Sequence, residues 1–215
     1  MSQPSVLKPR KSPHQKRSAA TVEAIIEATI QVLLAEGAAR LTTTRVAERA
    51  GVSIGTMYQY FPQKRALFFT VLQHHLESRA DELEAACRQL HGESLARISE
   101  GFSDAYFTLN TQTFEVSQVI YSAARRLDAM DFDGETSHRT FESLNALLAS
   151  ASDANFKDIR MVTFTLQQSL AGVMRAIFEC DDGTVPTSLQ TMQDELRALC
   201  AAYLKAVALP LKMKE

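Results

Sequence analysis

A chain of 215 residues in which 46% are hydrophobic can bury one or two cores, and eight Gly and six Pro are too few for a fibrous or largely disordered chain. Three cysteines, Cys87, Cys180 and Cys200, form an odd, scattered set that excludes a disulfide framework and suits a reducing compartment. The net charge of −2 hides an asymmetry: residues 1–65 carry ten Lys and Arg against four Glu (+6), residues 66–215 thirteen against twenty-one acids (−8), so a basic head that suits a polyanion precedes an acidic body.

The chain opens on a polar stretch, residues 1–17, with Pro4, Pro9 and Pro13 and with Lys8, Arg10, Lys11, Lys16 and Arg17 but no acid. It reads as a flexible basic arm. Such an arm is either a disordered tail or a segment that follows phosphates or enters a minor groove, ordering only on DNA. The apolar stretch behind it could be mistaken for a signal peptide. Glu23 and Glu27 interrupt it at helical spacing, and no run is expected to be long enough to cross a membrane. The stripe Val22, Ile25, Ile26, Thr29, Ile30 and Leu33 predicts a helix over Ser18–Glu36 with one buried face, ended by Gly37. Leu41 joins the same small core.

The stretch Thr42–Lys64 then reads as two short helices around a tight turn. Thr42 caps the first, and Val46, Ala47 and Ala50 line its inner side. Gly51 is the stop, because glycine takes the left-handed conformation without a Cβ penalty. Ser53 caps the second helix. Met57 and Phe61, four apart, face inward. Thr43, Thr44 and Arg45 on the first helix, and Ser53, Ile54, Gly55, Thr56, Tyr58, Gln59 and Tyr60 at the second, are left outward. Hydroxyls suit phosphate oxygens, Gln59 can read an adenine edge, and Gly55 lets backbone come close to DNA. Pro62 stops the helix. Lys64 opens the next one, where an ammonium beside a positive helix N-terminus favours a phosphate. This is the pattern of a helix-turn-helix whose second helix enters the major groove.

The run A-x-x-A-G-V-S-x-G-T-x-Y-x-Y-F-x-x-K-x-x-L, Ala47–Leu67, resembles the DNA-binding signature of the TetR family of bacterial transcriptional regulators. The resemblance covers about Val22–Leu72. Gln63 departs from it, standing where the family often has a Ser or Asn cap. The resemblance implies an all-α fold, with a three-helix head on a larger helical body that holds a dimer interface and a small-molecule pocket. It also implies that Thr43, Tyr58, Tyr60 and Lys64 contact the DNA backbone, while Thr44, Arg45, Ile54, Gly55 and Gln59 face bases.

Farther on, a long helix over Lys64–Leu90 joins head to body. His74 and His75 are adjacent, and Cys87 and His91 are four apart, but neither group supplies the four ligands of a structural zinc site, so no metal is expected. Helices are predicted over Ser94–Asn110, Phe114–Ala129 and Glu135–Ala151, with a loop at Met130–Gly134. Aromatic residues concentrate here. Phe102, Tyr106, Tyr121 and Phe141 either fill the core or line a ligand cavity, with His75, Gln118, Arg125 and His138 as polar groups that could orient a ligand. The segment Phe156–Glu179 is apolar nearly all round, as expected of a helix covered by its own body on one side and a second subunit on the other. A last helix is predicted over Ser188–Ala208. Phe164, Leu170, Val173, Ile177, Leu196 and Tyr203 are the expected dimer residues.

The chain shows no G-x-S-x-G, H-E-x-x-H, Walker or Rossmann pattern, and His75-x-Glu77 lacks the Pro-Cys-x-x-Cys half of a deaminase signature, so no enzyme and no cofactor are expected. The expectation is an all-α protein of about nine helices: an arm (1–17), a helix-turn-helix domain (18–65) and a ligand-binding and dimerisation domain (66–215). Its partners would be double-stranded DNA with a palindromic operator, a second copy of itself and a small effector, with no membrane; its place would be the cytoplasm. The competing reading is an effector-independent or architectural DNA-binding protein whose pocket is filled by side chains.

Overall fold

The computed structural model describes residues 16–126, 134–179 and 188–210, with side chains over 18–124, 135–178 and 188–210. The expected arm up to residue 15, the loops over 127–133 and 180–187, and the tail beyond Pro210 lie outside the described residues.

The apolar stripe of the first helix folds as α1 (Lys16–Glu36), so Lys16 and Arg17, expected in the arm, already belong to a helix. The helix-turn-helix is α2 (Thr43–Ala50) and α3 (Ile54–Tyr60), followed by α4 (Lys64–Gln89), α5 (Leu95–Thr111), α6 (Phe114–Arg126) and α7 (Gly134–Ala149). A short strand β1 (Ala154–Phe156) precedes α8 (Ile159–Glu179), and β2 (Ala208–Pro210) follows α9 (Leu189–Val207). The described residues thus hold nine helices and one antiparallel ribbon, with Ala154 opposite Pro210 and Phe156 opposite Ala208.

The ribbon corrects two predicted boundaries: Phe156 and Ala208 are strand residues, not helix ends. The cause is Asp158, whose carboxylate accepts the Met161 N–H at 3.0 Å and whose carbonyl accepts the Val162 N–H at 3.1 Å. An aspartate in that place is a helix start, so the chain before it is free to pair as a strand.

The described chain forms two compact units. One holds residues 16–76 and 115–126. Its core joins Ile25 and Leu33 of α1, Val46 of α2, Met57 and Phe61 at α3, and Phe68 and Leu72 of α4 to Ile120, Ala123 and Ala124 of α6. α1 is, contrary to expectation, long and apolar enough to cross a membrane by length and composition alone. Its Ile25, Ile26, Ala28, Val32 and Leu33 are instead buried in this core. Each of the isoleucine, valine and leucine side chains contributes roughly 1.5–3 kcal/mol by leaving water, and the face that buries them is occupied.

The other unit holds residues 77–114, 134–179 and 188–210. Phe102 and Phe107 of α5, Leu144 and Leu148 of α7, Leu166 and Leu170 of α8, and Leu196 and Leu204 of α9 are all buried. Asp104 of α5 receives two hydrogen bonds from Arg197 of α9, at 2.5 and 3.0 Å, and Arg139 of α7 meets Asp81 at 2.6 Å and Glu84 at 2.9 Å on α4. Gly101 lies so near Leu90 that an added Cβ would stand 2.6 Å from Cδ2, and the leucine side chain would have to shift to admit it.

Candidate nucleic-acid interface

Local chemistry sets the helix-turn-helix geometry before any packing. The Thr42 hydroxyl accepts the Arg45 N–H at 3.3 Å and opens α2. Gly51 takes φ +66°, and the Val52 N–H behind it closes on the Ala47 carbonyl at 3.0 Å. A side chain at Gly51 would carry the strain of a left-handed residue. The Ser53 hydroxyl accepts the Thr56 N–H at 3.0 Å and opens α3. Met57 and Phe61 have no exposed surface and anchor the inner side of α3.

What remains outside is the set read from the sequence. Thr44, Arg45, Ser53, Ile54, Gly55, Tyr58 and Gln59 are exposed, and Thr43, Thr56, Tyr60 and Lys64 are half-buried. Several are already held. Thr43 donates to the Tyr58 hydroxyl at 3.4 Å, bridging α2 and α3. The Tyr60 hydroxyl lies 3.0 Å from Ser18 Oγ on α1. Arg45 pairs with Glu36, and Arg49 Nε donates to Gln31 Oε1 at 2.7 Å. Lys64 Nζ donates to the Ala38 carbonyl at 3.2 Å, so its ammonium is tied to the turn after α1. Ser18, Gln31 and Glu36 position these side chains, and sequence reading missed them. Their pairings cross up to 42 residues and follow no local period.

Gly55 is informative. A Cβ there would meet only Ser53 Oγ, at an ordinary 3.7 Å, and its backbone is helical. Glycine inside a helix costs roughly 1 kcal/mol against alanine, and nothing within the described protein requires it. Gly55 is exposed on the outer side of α3.

The expected ligand-pocket residues divide between the two units. His75, Gln118 and Tyr121 belong to the first unit, with His75 Nε2 3.2 Å from Ser117 Oγ. Phe102, Tyr106, His138 and Phe141 belong to the second. Phe102 and Tyr106 stack with ring centroids 6.1 Å apart. Phe141 instead takes the Arg160 guanidinium over its ring at 4.8 Å, and His138 is exposed beside Glu142. The side chain of Arg125 lies outside the described residues.

The expected dimer residues divide. Phe164 and Val173 are 53% and 40% exposed, and Tyr203 is half-buried. Leu170, Ile177 and Leu196 are buried inside the protomer, which removes them as surface residues. On α8 the spacing Val162, Leu166, Leu170, Met174 forms the inner row, and Met161, Phe164 and Val173 stand outside. Met161 and Leu199 are exposed as well, at 58% and 37%. Burial raises the Cys87 and Cys200 thiols to about 12, so neither is a nucleophile at neutral pH.

Residues 25–71 match the family profile described as bacterial regulatory proteins, tetR family, and residues 94–204 match the tetracyclin repressor-like C-terminal domain. The nucleoid occlusion factor SlmA of Haemophilus ducreyi is 30% identical over 97 residues, a match that spans 45% of this chain and 46% of that protein. A TetR-family transcriptional regulator from Streptomyces coelicolor superposes with a TM-score of 0.61 at 23% identity, covering 87% of this chain and 99% of that one. The multidrug binding protein EbrR, solved in complex with imidazole, gives 0.63 at 20% identity over 89% and 97%. At those identities the structures share the fold. A helix-turn-helix with a polar outer face, joined to a body of the matching C-terminal type, makes this chain a member of the TetR family: a DNA-binding transcriptional regulator, not an enzyme.

Proposed function

We propose that the protein acts in the cytoplasm as a homodimeric repressor that binds a palindromic operator and leaves it when a small, mainly apolar or aromatic effector binds the body. The observation that carries the DNA half is the outer side of α3. Ile54, Gly55, Tyr58 and Gln59 stand exposed on a helix fixed by a serine cap and two buried anchors, with a glycine that no internal contact requires. In this reading Tyr58, Tyr60, Thr43 and Lys64 hold phosphates, and Thr44, Arg45, Ile54, Gly55 and Gln59 meet base edges. Residues 1–17 would add phosphate contacts. One such head reads few base pairs, so two heads on a twofold frame supply the affinity.

The outer row of α8, Met161, Phe164 and Val173, together with Leu199 and Tyr203 of α9, supports the dimer. Gly172 adds to it: a Cβ there would meet nothing within 4 Å, so this helical glycine leaves room for a close neighbour. The stacked pair Phe102 and Tyr106 is the best remaining aromatic element for an effector. EbrR with imidazole is an instance of the fold beside a small aromatic molecule.

The experiment is selection of bound sequences from a random duplex pool by the full chain, followed by binding to the selected site across a salt series. A palindromic consensus bound by two chains, with affinity falling steeply as salt rises, is expected. Enrichment of a single half-site, or of no sequence, would overturn the reading. Small aromatic molecules that shift the melting temperature are then titrated against free and operator-bound protein. Coupling of roughly 5–150-fold must be equal in both directions. If no stabilising molecule alters operator affinity, the effector-independent reading stands instead.

A further inference from the structure

A cavity of about 640 Å³ lies in the second unit, walled by α5, α9 and the β1–β2 ribbon. That volume is within the roughly 300–1,000 Å³ usual for sites that hold small organic molecules. None of the aromatic positions expected to hold an effector lines it. Its walls are Leu95 of α5, Ala154 and Leu209 of the ribbon, and Ala198, Ala201 and Leu204 of α9. Small side chains along α9 leave the room. The segment that leads from α7 into the ribbon is tied to the turn between α4 and α5: Glu93 O accepts the Ser152 N–H at 3.0 Å and Ser150 Oγ accepts the Gly92 N–H at 2.9 Å.

Two polar groups on facing elements are unspent. Ser99 of α5 lines the cavity at 5% exposure, and its buried hydroxyl has no hydrogen-bond partner among the described residues. A buried hydroxyl left in that state is unfavourable until something bonds to it. The ionised side chains at the cavity are otherwise engaged. Glu100 accepts from Arg97 at 2.8 Å, Arg197 is bound to Asp104, and Asp153 accepts the Leu95 N–H at 2.7 Å. Lys205 of α9 is exposed at the rim and makes no ion pair among the described residues. A cationic ligand would face that ammonium. An anionic one gains a charge-assisted hydrogen bond at once.

We propose that this cavity binds a small organic carboxylate, its apolar or aromatic body against the alanine and leucine walls, its carboxylate on Lys205 Nζ and a polar atom on Ser99 Oγ. The site stands whether or not its ligand is the effector that releases DNA.

The test is calorimetry on the full chain with 2-naphthoate and its neutral isostere 2-naphthamide. The acid should bind about tenfold more tightly than the amide, the ratio expected of one charge-assisted contact at a partly wet rim. Lys205→Met, which keeps the apolar stem, should bring the acid down to the amide. Ala201→Phe should fill the cavity and abolish binding of both, and Ser99→Ala should weaken the acid while leaving the protein folded. Thermal melts report the fold of each variant, and Lys205→Met, at an exposed position, remains decisive if Ala201→Phe misfolds. Equal affinity for acid and amide overturns the proposal, as does acid binding that Lys205→Met leaves unchanged, or no heat with 2-naphthoate up to about 1 mM. A band-shift series on operator DNA with 2-naphthoate reports coupling separately, so failure of the effector reading is distinguishable from failure of the site.

Discussion

The helix-turn-helix and the α8–α9 pair use their apolar residues in opposite ways. In α2 and α3, Val46, Ala47 and Met57 turn inward, and the outside is left to Thr44, Arg45, Tyr58 and Gln59, with Ile54 as the large aliphatic exception. α8 buries one apolar row and exposes another, Met161, Phe164 and Val173. Both elements also carry a helical glycine that no contact within the described protein requires, Gly55 and Gly172. A polar outer face beside a buried anchor suits a hydrated, charged surface such as DNA. An apolar outer face costs solubility unless a partner covers it. The two surfaces of one chain therefore ask for two kinds of partner.

The largest effects should separate the two rows of α8. Leu170→Arg places an unpaired charge in the protomer core, a loss of about 3–5 kcal/mol or more, and should cost the body its cooperative melt. Phe164→Arg should keep the helical circular dichroism and sediment as a monomer at micromolar concentration. A Phe164→Arg chain that sediments like the wild type would remove the outer row as a contact between copies. Next in size, Met57→Ala should destabilise the head by about 2–5 kcal/mol, because the anchor is fully buried and the space cannot collapse around a fixed cap. Operator affinity should fall with it.

These pairs show where sequence reading works. In the head, Thr42, Gly51 and Ser53 declare the helix ends by chemistry that acts within three residues, so the buried anchors Val46, Ala47 and Met57 follow from them. In α8, apolar residues stand on both sides, and period alone does not say which side meets the protomer. Leu170 and Ile177, expected at a contact between copies, are for that reason found in the protomer core, as is Leu196 of α9. The ribbon was illegible because β1 and β2 are three residues each and pair across more than fifty positions. The 640 Å³ cavity was illegible because it is made of what is missing: alanines on α9 where larger residues would close it.

Smaller changes sharpen the head. Thr42→Ala and Ser53→Ala should each cost about 1 kcal/mol, as lost caps do. Of the two, Ser53→Ala should weaken DNA binding more, since it frays the start of α3. Lys64→Ala tests whether its ammonium also serves a phosphate beyond the Ala38 carbonyl it holds. A phosphate role predicts weaker binding on all sequences and a salt slope flatter by about one unit. An unchanged slope with a lower melting temperature would leave Lys64 with its carbonyl alone.

The smallest effect belongs to the body and is read by pH. Arg197 donates two hydrogen bonds to Asp104 and holds its carboxyl below the ordinary aspartate value of 3.8. A carboxylate depressed in the folded state adds stability that is complete above its unfolded pKa and vanishes as pH falls through the folded one. Asp104→Asn removes that contribution. The gap in stability between the wild type and Asp104→Asn should be widest at neutral pH and should close as the solution is acidified below about pH 4. The pair is partly exposed, with relative side-chain accessibilities of 39% for Arg197 and 33% for Asp104, so salt should narrow the gap at neutral pH as well. A gap that is constant from neutral to acid pH would mean that the two hydrogen bonds to Asp104 serve geometry alone, aligning α9 with α5 beside the cavity without a net electrostatic contribution.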